Sequence, residues 1–204
     1  MLYVHDIFSG KARKVSVRKS VIGGSWAPDG KSIALTFIEG DNQDIFSIDL
    51  AGNVINRLTS NWGINVSPSF SPDGNKIAFV SSRSGGPQIY VRDLTQGTEE
   101  RITFHGNYNT SPSWSRLNRI VFCGLYEGHF EIFAVDPDGG NLRRLTENEG
   151  NNEDPCWSPD GRYIVFSSNR DGGYHLYIMN ANGQNQRRVT FFKGQETSPS
   201  WSPF

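Results

Sequence analysis

One motif returns every 43 or 44 residues along the whole 204-residue chain. In register its copies read "GGSWAPDGKSIALTF" (23–37), "SPSFSPDGNKIAFVSS" (67–82), "SPSWSRLNRIVFCG" (111–124), "DPCWSPDGRYIVFSS" (154–168) and "SPSWSPF" (198–204). The aromatic anchor falls at Trp26, Phe70, Trp114, Trp157 and Trp201, at intervals of 44, 44, 43 and 44. A period of roughly 40 to 50 residues is that of a propeller blade, which cannot bury its own apolar face and packs on its neighbours. The repeat occupies residues 1–204 and leaves no room for a second domain, so the expectation is a single all-β propeller.

Each unit reads as four strands, named a to d outward from the axis. "SPSWS" or "DPCWS" is strand a, and "SPDG" is the following turn, with Pro entering it and Gly supplying positive φ. "RIVFC" or "RYIVFSS" is strand b, "EIFAVD" or "HLYIMN" strand c, and "RRLT" or "RRVT" strand d. Alternation in strand c puts Ile132 and Ala134 on one face and Phe133 and Val135 on the other. Complete units are expected at about 25–66, 67–110, 111–153 and 154–197.

The chain enters at strand c ("LYVHD", 2–6), continues into d ("ARKVS", 12–16) and leaves at a ("SPSWS", 198–202). Propellers commonly close by sharing one blade between the termini. The count therefore predicts five blade positions, the closing blade built from 1–16 and 198–204 without a b strand, with an incomplete six-bladed ring as the alternative. An unpaired edge beside Trp201 is a template for β-pairing, which favours self-association over a compact monomer with a three-stranded closing blade.

Composition excludes several functions. Lys plus Arg (20) balance Asp plus Glu (21), so neither nucleic acid nor an anionic membrane surface is indicated as a partner. No stretch reaches membrane-spanning length, and "MLYVHDIFSGKARK" lacks the apolar segment of a signal peptide. Cys123 and Cys156, on strands b and a, read as small buried hydrophobes rather than a disulfide. The histidines at 5, 105, 129 and 175 show no metal-ligand spacing, and no serine sits in a G-x-S-x-G elbow. No catalytic residue, metal or cofactor is expected. The alternatives are a lyase-like or glycosidase-like enzyme using rim carboxylates (Glu39, Asp41, Asp44, Glu153, Asp154, Glu196) and a purely structural repeat fragment.

"PSFSPDGNKIAFVSSRSGGPQIYVRDL" (68–94) and "DPCWSPDGRYIVFSSNRDGGYHLYIMNANGQNQRRVT" (154–190) resemble the repeats of the TolB family's C-terminal β-propeller, of the TolB/WD40-like class. That family belongs to the periplasmic Tol–Pal system and carries an α/β domain ahead of its propeller. The resemblance implies a truncated, non-enzymatic, periplasmic protein-binding module. A cytoplasmic location stays open, because no signal peptide is present in the chain. It also implies a partner resembling the lipoprotein Pal, or a disordered peptide such as the TolB-binding segment of certain colicins, held at the channel mouth. The loops entering strand a are the least uniform part of each repeat, as a binding rim on a regular scaffold should be. Carried onto this chain, the rim contacts fall at Asn65, Thr110, Glu153 and Thr197, with Trp62 and Tyr108 as aromatic anchors.

Overall fold

The computed structural model describes residues 2–15, 17, 20–147 and 150–202. It contains four complete four-stranded antiparallel blades, each a meander in the order a-b-c-d. Blade 1 comprises β3 (Ser20–Trp26), β4 (Ser32–Glu39), β5 (Asn42–Asp49) and β6 (Val54–Arg57). Blade 2 comprises β7 (Asn65–Phe70), β8 (Lys76–Ser81), β9 (Gln88–Asp93) and β10 (Glu99–Arg101). Blade 3 is β11 (Asn109–Trp114), β12 (Ile120–Tyr126), β13 (His129–Val135) and β14 (Arg143–Arg144). Blade 4 is β15 (Asn152–Trp157), β16 (Tyr163–Ser168), β17 (His175–Asn180) and β18 (Arg187–Arg188). Before them β1 (Leu2–His5) and β2 (Ala12–Val15) form a separate hairpin.

The period-2 alternation of strands b and c supplies two apolar faces per blade, and one core cluster fills each junction. Ala34, Ile45 and Leu58 of blade 1 meet Ile77, Phe79 and Tyr90 of blade 2. Val80, Ile89 and Val91 meet Trp114, Phe122 and Phe133 at the next junction. Val121, Ile132 and Ala134 then meet Trp157, Phe166 and Tyr177. Each aromatic anchor packs backward onto the preceding blade, so Trp114 (8% exposed) and Trp157 (7%) are buried while Trp26, with no blade before it, is 50% exposed. The anchor is also tied there by its backbone. The Phe70, Trp114 and Trp157 N–H groups donate to the hydroxyls of Ser25, Ser69 and Ser113, at 3.4, 2.9 and 3.2 Å.

The five-position ring, and equally the incomplete six-bladed one, is corrected to four blades. Among the described residues no closing blade forms, because its intended parts lie at opposite ends of the row; Met1, Ser16, Pro203 and Phe204 of those parts lie outside the described residues. The β1–β2 hairpin packs on blade 1, where Val15, Leu2 and Val4 meet Ile33, Leu35, Phe37 and Ile48, and Arg13 donates to the Leu50 carbonyl at 2.8 Å. Residues 198–202 contain no strand and rest on blade 4, with Trp201 Nε1 donating to the Cys156 carbonyl at 3.2 Å. The described residues of the two parts therefore cap different blades and do not pair.

Candidate functional site

Two structural devices shape the end of the propeller where the d-to-a loops emerge. The first is a bulge in every inner strand. Register slips by one residue between Ile22 and Ser25, Val66 and Ser69, Thr110 and Ser113, and Glu153 and Cys156. The extra residue adopts positive φ: Gly23 at 60°, Ser67 at 54°, Ser111 at 51° and Asp154 at 51°, with Ser198 at 53° in the same sequence position. A left-handed non-glycine residue costs about 1 kcal/mol, and in the last four cases a proline follows, whose missing N–H suits an unpaired ladder position. Ser67, Ser111 and Asp154 at the bulges, with Ser198 beyond blade 4, line a shared channel of about 390 Å³. Across it the Asp154 carboxylate accepts from the Ser111 hydroxyl at 3.1 Å and the Ser198 hydroxyl at 2.9 Å.

The second device is a buried network that fixes each d-to-a loop. In blade 2 the Thr103 hydroxyl accepts the Ile89 N–H and donates to Gln88 Oε1, which also accepts from Asn109 Nδ2 at 2.9 Å. Thr59, Asp44 and Asn65 repeat it in blade 1, and Thr146, Glu131 and Asn152 in blade 3. Blade 4 places His175 and Glu196 in the corresponding positions, joined at 3.0 Å. The His175 side chain, with the Thr190 hydroxyl first, lowers the Glu196 pKa from the ordinary glutamate range. Arg57, Arg101 and Arg188 each reach from strand d to the carbonyl of the loop threonine.

These networks sort the six expected contact residues. Asn65 is fully buried and belongs to the row Asn65, Asn109, Asn152; it stands one residue out of register with Thr110 and Glu153, whose true counterpart is Val66. Its amide is spent on Asp44 and on the Asn61 and Gly63 carbonyls, so it supports the rim from below. Thr110 and Glu153 are half-buried on the inner strands, Glu153 accepting from the Tyr174 hydroxyl, and Thr197 is exposed. Trp62 is 85% exposed, whereas Tyr108 is 40% exposed and meets Phe130 edge-on.

Three aromatics missing from the expected set share this end: Phe104 (74% exposed), Phe191 (75%) and Phe192 (76%). Phe104 and Phe191 directly follow the loop threonine and lie under the guanidinium groups of Arg101 and Arg188, at 4.9 and 5.2 Å. The signal for them was available in the repeated "RIT" and "RVT", whose threonine ends the blade and hands the next residue to solvent.

Four of the six rim carboxylates are tied into the structure. Asp44 pairs with Arg57 at 2.6 Å, and Glu153, Asp154 and Glu196 hold Tyr174, the channel serines and His175. Among the described residues no three His, Cys, Asp or Glu side chains gather as a metal-binding group. Both cysteines are free thiols. Burial pushes the Cys123 thiol far up, and it raises Cys156 as well, although Cys156 is only half-buried and lines the channel. No helix of the described residues is long and apolar enough to cross a membrane.

The family described as the TolB beta propeller domain matches residues 1–204. The Tol-Pal system protein TolB of Desulfosudis oleivorans is 42% identical over 53 residues, 26% of this chain and 12% of that protein. Among solved structures, TolB from Acinetobacter baumannii superposes with a TM-score of 0.85 at 28% identity, over 97% of this chain and 50% of that one. A putative TolB from Agrobacterium tumefaciens gives 0.82 at 29% identity, over 92% of this chain and 68% of that one. The chain thus spans half the length of the Acinetobacter protein.

Proposed function

Because the chain belongs to the TolB β-propeller family, we propose that it is a non-enzymatic scaffold that binds a protein at the end of the propeller bearing the d-to-a loops. The partner class is a flexible polypeptide segment or the face of a small lipoprotein of the Pal type, and the compartment is the periplasm. The observation that carries this reading is the set of large aromatics, Trp62, Phe104, Phe191 and Phe192, standing 74 to 85% exposed on loops whose bases are pinned by buried networks. Exposed aromatics on a rigid base lose little conformational freedom on binding and are the usual anchors of protein interfaces. Thr110, Glu153 and Thr197 join them as polar contacts, with Tyr108 beside them. Asn65 contributes by holding its loop.

Calorimetry against the soluble domain of a Pal-type lipoprotein and against colicin-derived peptides tests the proposal. Alanine at Trp62, Phe104 and Phe191 together should weaken binding at least ~30-fold, since one lost aromatic anchor costs about 2 kcal/mol. Unchanged affinity in that triple variant, and in one replacing Thr110, Glu153 and Thr197, would reject the assigned surface.

A further inference from the structure

Blade 3 departs from the repeat twice at the end opposite the d-to-a loops. Blades 1, 2 and 4 turn from strand a to strand b through "APDG" or "SPDG", at 27–30, 71–74 and 158–161. Blade 3 has "SRLN" (115–118) and is one residue shorter, the source of the single 43-residue interval. Its closing bond runs from the Ser115 N–H to Arg119, where blade 2 spans Ser71 to Lys76. The second departure, from blades 2 and 4 but not from blade 1, is in the c-to-d turn. Leu94 of blade 2 and Ala181 of blade 4 donate their N–H groups to the carbonyls of Asn75 and Arg162, at 2.8 and 2.9 Å. The matching residue of blade 3 is Pro137, which has no N–H to give.

Both departures border the same space. Between blades 2 and 3 lies a groove of about 650 Å³, against about 290 Å³ for the corresponding groove between blades 1 and 2. Leu117 and Pro137 stand on its blade 3 side and Val91 on its blade 2 side. In the smaller groove that space is taken up, since Leu94 packs into the junction and Gly74 lies against Pro28. The larger volume is in the range of small-ligand sites, roughly 300–1,000 Å³.

The charges around it do not cancel. Lys76 pairs with Asp93 at 3.8 Å and Arg119 with Asp136 at 3.3 Å, on opposite walls. Glu100 and Asp138, both exposed on the groove, have no cationic partner among the described residues. Neither carboxylate is ion-paired among the described residues, and although Asp138 Oδ1 accepts the Gly140 N–H at 2.9 Å, both stay open to a cation beside apolar surface suited to an aliphatic stem. We propose that this groove binds an extended peptide through a lysine or arginine side chain, the stem lying along Leu117 and Val91 and the charged head between Glu100 and Asp138. The site is distinct from the aromatic end and does not depend on its role.

Calorimetry with an acetylated, amidated hexapeptide carrying one lysine and one arginine tests this on the intact chain. Its control replaces those residues by norleucine and citrulline. Binding is expected for the basic peptide alone and should weaken as salt is raised. Glu100→Gln with Asp138→Asn, whose amide oxygen can still accept the Gly140 N–H, should lower affinity about tenfold. Replacing Arg116–Leu117–Asn118 by Pro-Asp-Gly-Asn restores the ordinary turn, closes the groove and should abolish binding. Equal binding of the neutral peptide, an unchanged affinity in the double variant, or binding of free cadaverine with none of the peptide would each overturn the proposal.

Discussion

Replacing Thr103 by valine tests whether the buried networks hold the blades together. The hydroxyl of Thr103, a residue 2% exposed, accepts the Ile89 N–H at 2.9 Å and donates to Gln88 Oε1 at 2.7 Å. Valine keeps the shape and removes both bonds. An orphaned buried N–H costs about 1–3 kcal/mol and the second bond about 1, while the added methyl returns about 1. The net loss is then about 2 kcal/mol, a shift in urea midpoint at unchanged m-value. Thr103→Ser keeps the hydroxyl and should lose only about 1 kcal/mol for its missing methyl. In the native state, hydrogen exchange at Ile89 should accelerate in the valine variant and not in the serine one. A valine variant as stable as the parent, or less damaging than serine, would refute the assignment.

Two further outcomes follow from the same geometry. Trp114→Ala should cost about 3–5 kcal/mol by denaturant titration, because its ring fills the junction with blade 2, whereas Trp26→Ala should cost under about 1. Equal costs would contradict the backward packing of the anchors. Stability should also fall in acid. The Ser71 hydroxyl and Asn75 N–H hold Asp73 below its usual range, the Ser158 hydroxyl and Arg162 N–H do the same for Asp160, and the Thr95 hydroxyl leads for Asp93. Carboxylates depressed in the folded state contribute fully above their ordinary unfolded pKa, about 4, and lose that contribution as pH drops toward the folded values. Melting temperature should decline below about pH 4, less steeply in Asp73→Asn and Asp160→Asn variants; identical pH profiles would discount the turns.

Much of the fold was legible because a blade is a local object. Period-2 alternation set Ile132 and Ala134 on one face and Phe133 and Val135 on the other, and the clusters show that the first pair faces blade 4 and the second blade 2. Ring closure was not legible, since it depends on where two ends meet. The hairpin finds its apolar partners on blade 1 and residues 198–202 find theirs on blade 4. The site was half legible. A search for polar rim residues passes over the apolar Val66 and lands on Asn65, one position away and fully buried. Phe104 and Phe191 extend an apolar strand pattern in sequence, and only the bend at Thr103 and Thr190 sends them outward.

Blade 4 shows which part of these networks is structural requirement and which is residue choice. In blades 1 to 3 the strand c residue, Asp44, Gln88 or Glu131, is the acceptor and the strand a asparagine the donor. Blade 4 exchanges the roles: Glu196 supplies the acceptor and His175 faces it, yet the Leu176 N–H still reaches the Thr190 hydroxyl at 2.9 Å. What must be satisfied is the threonine and the backbone N–H it serves, because a buried amide without a partner costs more than either side chain's identity. Polar residues at these positions therefore report loop anchoring rather than recognition. The loop in blade 4 carries Phe191 and Phe192, so the His175–Glu196 contact sets the platform on which two of the four most exposed aromatics of this end stand.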